Sequence, residues 1–261
     1  LIDWTSQMTN ATYATYIRCH DDIGWAVTDE DAREMGMDGP AHRTYLSEFY
    51  EGSFEGSFAQ GVPFQINEAT GDKRISGSFA SLAGLEKGQA ALAVQRILMG
   101  HALIASFGGI PLIYMGDELA MPNDYSYRDR ADHAHDSRWV HRPAMDWHRA
   151  EARHAGSTPA SEVYLGTQHI LARRKATPDL HAANPTRVLD SGNPALLAVA
   201  REAPTGTILC LFNFTEDWQH LPEAWLRAQG VSHFHDALSD AQVDLHHGAL
   251  ALPPYARVWL R

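Results

Sequence analysis

His20, Asp21 and Asp22 stand together directly after residues 12–19, a run of β-branched and aromatic residues that reads as a strand. A second acidic pair, Asp117-Glu118, follows residues 110–115, a continuous apolar run of the kind a fully buried parallel strand shows. Carboxylates and guanidinium groups bind vicinal hydroxyls through paired hydrogen bonds. Groups of both types occur here, among them Asp21, Asp22, Arg74 and Arg138, and by type alone they serve structure as readily as a site. The plain alternatives are a strand-end cap with a satisfied His for His20-Asp21, a solvated loop cation for Arg74 and a structural cation for Arg138. Asp132-His133-Ala134-His135-Asp136 invites a zinc reading, but no ligand from a third element is identifiable, so no metal and no cofactor is expected. His233, His235, His246 and His247 read as surface residues of the C-terminal region.

The elements that must position these groups alternate in type. After the first strand, residues 25–85 carry many Gly, Ser, Phe and Tyr without one strong period; sixty such residues exceed an ordinary loop and read as an inserted subdomain. Residues 86–107 form a helix whose face is Leu92, Ala93, Val94, Ile97, Leu98, Ile104 and Phe107, stopped by Gly108-Gly109. The second strand, a His- and Asp-rich loop over 123–147 and a helix over about 161–176 complete a β-α-β-α unit. Both strands end in polar clusters at their C-terminal ends, where active sites of (β/α) barrels are built. Two strands cannot close a barrel of eight, so the unit is either a small open α/β domain or the end of a larger one. From about Asn184 the texture changes to short strands at 195–200, 207–214, Ala249–Leu252 and Arg257–Leu260 with no crossover helices, which predicts an antiparallel β module.

Composition narrows the function class. Of 261 residues 44% are hydrophobic and 20% charged, a composition that builds a substantial core. The net charge of −11, from 32 acidic against 21 basic residues, repels phosphate backbones, and no basic stripe reverses it, so nucleic acid is not an expected partner. No uninterrupted apolar run reaches the roughly 20 residues of a membrane span. The first residues show neither a basic segment nor an apolar core, so no secretory signal is expected. Cys19 and Cys210 lie far apart outside any Cys-x-x-Cys pair and read as free thiols of a reducing, cytoplasmic compartment.

Ile17-Arg18-Cys19-His20-Asp21-Asp22-Ile23-Gly24-Trp25 resembles the seventh-strand motif of amylosucrases, in the alpha-amylase superfamily of retaining glycosidases. Gly109-Ile-Pro-Leu-Ile-Tyr-Met-Gly-Asp-Glu118 looks like that family's eighth strand. Lys73-Arg74-Ile75-Ser76-Gly77 and Asp136-Ser137-Arg138-Trp139-Val140-His141-Arg142-Pro143 are similar to two further amylosucrase segments, in order. Leu252-Pro-Pro-Tyr-Ala-Arg-Val-Trp-Leu260 looks like the end of the superfamily's C-terminal sandwich. The resemblance implies α/β plus β: the last strands and helices of a (β/α)8 barrel (residues 1–180, insertion about 26–85 after the seventh strand), then an antiparallel β-sandwich over 184–261. It assigns Asp21 the role of transition-state stabiliser and His20 a hydrogen bond to the same glucosyl unit. It places Asp22 and Arg74 one sugar further out, and Arg138 in a salt bridge that closes the floor of the glucosyl pocket, with its Asp partner outside this chain. Asp117-Glu118 is mainly a strut of the eighth-strand loop.

Retaining glycosidases use one carboxylate as nucleophile and another carboxyl as acid and then base. By the resemblance these follow the fourth and fifth strands, whereas this chain starts just before the seventh. The chain alone is therefore expected to be inactive, and its expected partners are sucrose, an α-glucan or oligosaccharide acceptor, and the N-terminal half of the barrel. The implied activity is glucosyl transfer from sucrose to α-glucan. A sucrose hydrolase of the same architecture is the near alternative, and a non-catalytic carbohydrate-binding module the distant one.

Overall fold

The computed structural model describes residues 11–261. Its strands in chain order are β1 (Ala14–Thr15), β2 (Val62–Phe64), β3 (Arg74–Ser76), β4 (Ile110–Pro111), β5 (Thr186–Leu189), β6 (Leu196–Ala203), β7 (Gly206–Asn213), β8 (Gln219–Pro222), β9 (His235–Asp236), β10 (Ala241–Gln242), β11 (Ala249–Leu252) and β12 (Arg257–Leu260). The α-helices are α1 (Asp29–Glu34), α2 (Gly39–Glu51), α3 (Phe79–Leu82), α4 (Ala90–Ser106), α5 (Trp147–Glu151), α6 (Pro159–Lys175) and α7 (Glu223–Ala228). The described chain forms two units: residues 11–17, 98–113 and 165–261 in one, 18–97 and 114–164 in the other. No helix among the described residues is long and apolar enough to cross a membrane.

In the first unit β1 and β4 pair in parallel, Ala14 opposite Ile110 and Thr15 opposite Pro111. The pairing is as the β-α-β pattern requires, but two expectations need correction. Both strands are far shorter than 12–19 and 110–115, and the run expected to be fully buried is not: Ile110 is 62% and Leu112 44% exposed. A strand extends only as far as a neighbour supplies hydrogen bonds, and among the described residues each has a single neighbour. Gly109, at φ +81°, makes the tight entry into β4, since a Cβ there would lie 2.4 Å from the Tyr13 carbonyl oxygen.

The rest of that unit is the β module. Six strands run in the order β10-β9-β12-β7-β6-β5, all paired antiparallel, and β8 pairs with β11 in a separate hairpin. Side chains alternate faces along a strand, and here both faces of β6 and β7 are buried. Leu196, Ala198, Ala200, Leu209 and Leu211 join Leu221, Leu250 and Leu252 of the hairpin and Leu226 of α7 in one apolar cluster. The opposite face presents Val199, Arg201, Ile208, Cys210 and Phe212, also buried. Cys19 and Cys210 are free thiols, and burial pushes the Cys210 thiol up to about 12.

The second unit contains the stretch read as an insertion. Thr28 caps α1 with a full capping box, and Asp38 caps α2, which ends at Gly52 in the left-handed conformation. The ring cluster of Tyr45, Phe49, Phe54 and Phe58 packs along and beyond α2. β2 and β3 pair antiparallel, with Phe64 opposite Arg74.

Candidate functional site

The segment after β1 is tied to β3 rather than left as a free loop. Ile23 and Ile75 exchange both backbone hydrogen bonds, at 2.8 and 3.1 Å, and form an isolated antiparallel bridge. That bridge lays Asp22 beside Arg74, whose Nη1 donates to Asp22 Oδ2 at 3.2 Å. The Asp22 carboxylate is almost wholly covered while the Arg74 side chain is 54% exposed, so the pair shows its cationic end to solvent.

Asp21 is gripped from two sides. Its Oδ1 accepts the Asp22 backbone N–H at 3.0 Å and Arg138 Nη1 at 3.1 Å. Hydrogen bonding from Asp22 and then the Arg138 guanidinium hold the Asp21 carboxyl down, at about 2. At neutral pH Asp21 is a fixed negative charge and cannot serve as a proton donor. Arg138 is itself held by a fork on Asp136, Nε to Oδ1 at 2.9 Å and Nη2 to Oδ2 at 2.9 Å, with its guanidinium 4.7 Å from the Phe64 ring centroid. Asp136, then Asp21, raise the Arg138 pKa further. In this chain the arginine expected to bridge to a distant Asp is engaged by Asp136 and Asp21.

His20 is exposed, and its carbonyl accepts Arg142 Nε at 2.8 Å. Asp21, Asp22, Arg74 and Arg138 are thus brought together by direct contacts, and His20 joins them through its backbone. Next to them a cleft of about 620 Å³ is lined by Trp25, Arg43, Gln65, Asn67, Asp72 and Arg74 among others. Gln65 holds a left-handed backbone (φ +48°) immediately after Phe64.

Asp117 lies buried, and burial raises its carboxyl to about 7 against the opposing pull of Arg18. Glu118 accepts the Gly116 N–H at 2.8 Å, closing the loop after β4. The Asp132–Asp136 stretch gathers no metal-binding set: Asp132 meets Arg130 and His133, the His133 ring stacks on Trp139 at 3.5 Å, and Asp136 holds Arg138. Among the described residues no three His, Cys, Asp or Glu side chains converge on one point.

Sequence reasoning passed over three supporting residues. Asp136 stands two positions before the Arg138 it orients. Arg18, 5% exposed, donates from Nε to Gly77 O at 3.1 Å and from Nη2 to Asp21 O at 2.9 Å. His141, 2% exposed, accepts the Gly77 N–H on Nδ1 at 3.1 Å, and burial followed by Arg18 pushes its pKa down to about 3. All three lie inside the motifs quoted above, but only their partners reveal what they do.

Comparison with known proteins gives a match for the C-terminal domain and a likeness of fold. Residues 186–261 match the model of the amylosucrase C-terminal domain. Over 174 residues, 64% of this chain, the sequence is 24% identical to glucosylglycerate phosphorylase of Escherichia coli K12, of which it spans 28%. The fold is similar to AmyP in its complex with maltose (TM-score 0.51, 14% identity) and to an AmyP variant in complex with maltotriose (TM-score 0.54, 14% identity), covering 69% of this chain and 37% of AmyP in each case. The chain therefore spans well under half the length of these proteins. Residues 186–261 are thus similar to an amylosucrase-type C-terminal domain, and the fold of the chain is similar to that of AmyP.

Proposed function

We propose that this chain supplies the sugar-gripping side of a retaining α-glucosyl enzyme that cleaves sucrose and passes the glucosyl unit to an α-glucan. The observation that carries the reading is the placement of Asp21: in the segment after a strand of a parallel pair, its carboxylate is fixed by the Asp22 N–H and Arg138 Nη1 and adjoins the Asp22–Arg74 pair. Glycosyl transfer proceeds through an oxocarbenium-like transition state, and fixed negative charge stabilises the positive charge that develops on the ring. Asp21 has the charge for that task and Arg138 fixes its direction. Arg74, anchored from behind by the covered Asp22 carboxylate, presents its guanidinium to the departing fructosyl unit or the incoming acceptor, and the 620 Å³ cleft beside it has room for further sugars. Nucleophile and acid/base carboxyls are assigned to the remaining strands of a (β/α)8 barrel, of which β1 and β4 are the seventh and eighth. The exposed Tyr13, Tyr16, Ile110 and Leu112 support this arrangement, because a two-stranded parallel sheet with apolar side chains in water is marginal without neighbours.

A second reading shares the glucosyl site and changes the acceptor. The relative named as a glucosylglycerate phosphorylase makes phosphate a candidate acceptor, with exposed Arg74 as its cationic contact. One experiment separates the readings. The complete enzyme is given sucrose with and without inorganic phosphate, and fructose, free glucose, glucan and glucose 1-phosphate are measured together. Transfer gives fructose in excess over glucose with growing glucan, hydrolysis gives equal fructose and glucose, and phosphorolysis gives glucose 1-phosphate. Asp21→Asn lowers kcat on the order of 100- to 1,000-fold while sucrose still binds. Retention of more than about a tenth of wild-type kcat, far above that range, ends the assignment of Asp21.

A further inference from the structure

We infer that Arg18 is the positioning residue of the site, setting the direction of the Asp21 carboxylate through one rigid peptide plane. The inference rests on the role proposed for Asp21 and adds how that role is held. The peptide unit joining Asp21 to Asp22 carries the Asp21 carbonyl at one end and the Asp22 N–H at the other. Arg18 Nη2 holds the carbonyl end at 2.9 Å. The N–H end donates to Asp21 Oδ1 at 3.0 Å. Because the peptide is planar, fixing its oxygen fixes the direction of its N–H, and with it the side-chain oxygen that the N–H holds. The same oxygen takes Arg138 Nη1, so the peptide and Arg138 must agree on one position.

The other arm of Arg18 reaches across the unit. Nε donates to the Gly77 carbonyl at 3.1 Å, and the Gly77 N–H is capped by His141 Nδ1 at 3.1 Å. Gly77 directly follows β3, the strand that carries Arg74. Arg18 therefore joins the Asp21 peptide to the end of the Arg74 strand, in parallel with the Ile23–Ile75 bridge. A planar guanidinium donates from separate nitrogens in fixed, forked directions, whereas the three donors of an ammonium radiate from a single nitrogen on a flexible stem. Burying a cation to hold two neutral carbonyls is unfavourable in itself; burial lowers the Arg18 pKa, with Asp117 the largest opposing charge. An apolar residue would fill the space more cheaply, so the geometry of the fork is what distinguishes arginine here.

The test is a double-mutant cycle in the complete enzyme with sucrose as donor, on purified variants whose melting temperatures are recorded. Arg18→Met is expected to lower kcat about 10- to 100-fold with KM changed less than about threefold, the loss expected when a reacting group is misplaced by about an ångström. Arg18→Lys keeps the cation opposite Asp117 but not the fork, and is expected to fall between the two; it decides the matter if Arg18→Met does not fold. In an Asp21→Asn background the Arg18 substitution should have almost no further effect on kcat, because the group it positions is already lost. A merely structural role would lower kcat by the same factor in both backgrounds. Equal factors, or an Arg18→Met and Arg18→Lys that keep wild-type kcat, overturn the inference while leaving the role of Asp21 intact. If Asp21→Asn itself keeps wild-type kcat, the proposed function falls and the inference with it.

Discussion

Arg201 offers the sharpest test of how the β module is held. It is fully buried on β6, between Thr186 of β5 and Ile208 of β7. Its guanidinium donates to four backbone carbonyls: Ser106 at 2.5 Å, His181 at 2.6 Å, Asn184 at 3.0 Å and Pro185 at 3.3 Å. Ser106 is the last residue of α4, where unpaired carbonyls and the negative end of the helix dipole collect. Arg201→Met keeps length and bulk and removes every donor. Hydrogen bonds to a charged group contribute about 1.5–3 kcal/mol each, so four give roughly 6–12 kcal/mol gross. Against this stands the relief from burying a guanidinium, which is several kcal/mol, and burial does lower the Arg201 pKa. The difference is about 3–5 kcal/mol, the size expected when several buried carbonyls lose their donors at about 1–3 kcal/mol each. At roughly 2–4 °C per kcal/mol for a chain near this size, the midpoint should fall on the order of 10 °C. Thermal melts followed by far-ultraviolet circular dichroism measure it, with Arg201→Lys expected to lose less. An Arg201→Met chain that melts within about 2 °C of wild type, less than 1 kcal/mol on that scale, would show that the four carbonyls find other partners and that the cation is dispensable.

Two further predictions concern pH. Burial lowers the His101 pKa to about 4 from 6.5, and its Nδ1 lies 2.8 Å from Thr167 Oγ1. Between those pH values the unfolded chain takes up a proton that the folded chain refuses, so stability is lost as pH falls through that window, at about 1.4 kcal/mol per pH unit for one proton. Denaturant titrations at several pH values should show a shallower acid decline for His101→Gln. Asp117 has the opposite sign: its carboxyl, raised to about 7 from 3.8, keeps a proton that the unfolded chain releases, so its contribution is complete below 3.8 and lost as pH rises through 7. Asp117→Asn should therefore gain on wild type as pH rises from 4 to 8; a constant difference across that range would mean Asp117 is ionised in the folded chain.

The pattern of what the sequence revealed follows from where the information resides. Ala249–Leu252 and Arg257–Leu260 were readable to the residue, because alternation and turn residues bound them locally. β8, β9 and β10 were not, since Gln-His-Leu-Pro, His-Asp and Ala-Gln have no strand preference of their own and extend only because β11, β12 and β9 in turn supply partners. β6 was cut short at Ala200 because a following Arg-Glu looks like solvent; Arg201 is instead the residue that α4 and the loop at 181–185 require.

The same division runs through the candidate site. Asp21, Asp22, Arg74 and Arg138 could be named from the resemblance of their motifs, because residues proposed to meet a sugar carry hydroxyl-binding groups wherever the chain puts them. Their supports could not. Arg18 and His141 look like two more polar residues of a charged stretch, and their meaning lies in Gly77, 59 and 64 positions away, whose carbonyl and N–H they satisfy. Asp136 reads as half of a zinc motif until Arg138 closes on it with both arms of its fork. A residue that touches substrate is constrained by chemistry it shares with every such site. A residue that positions it is constrained only by the backbone group it happens to face, and that group is known once the chain has folded. The Asp21 carboxylate shows both constraints at once: its acid is legible in the motif, while the N–H that its Oδ1 accepts belongs to a peptide plane whose carbonyl Arg18 holds from within the unit.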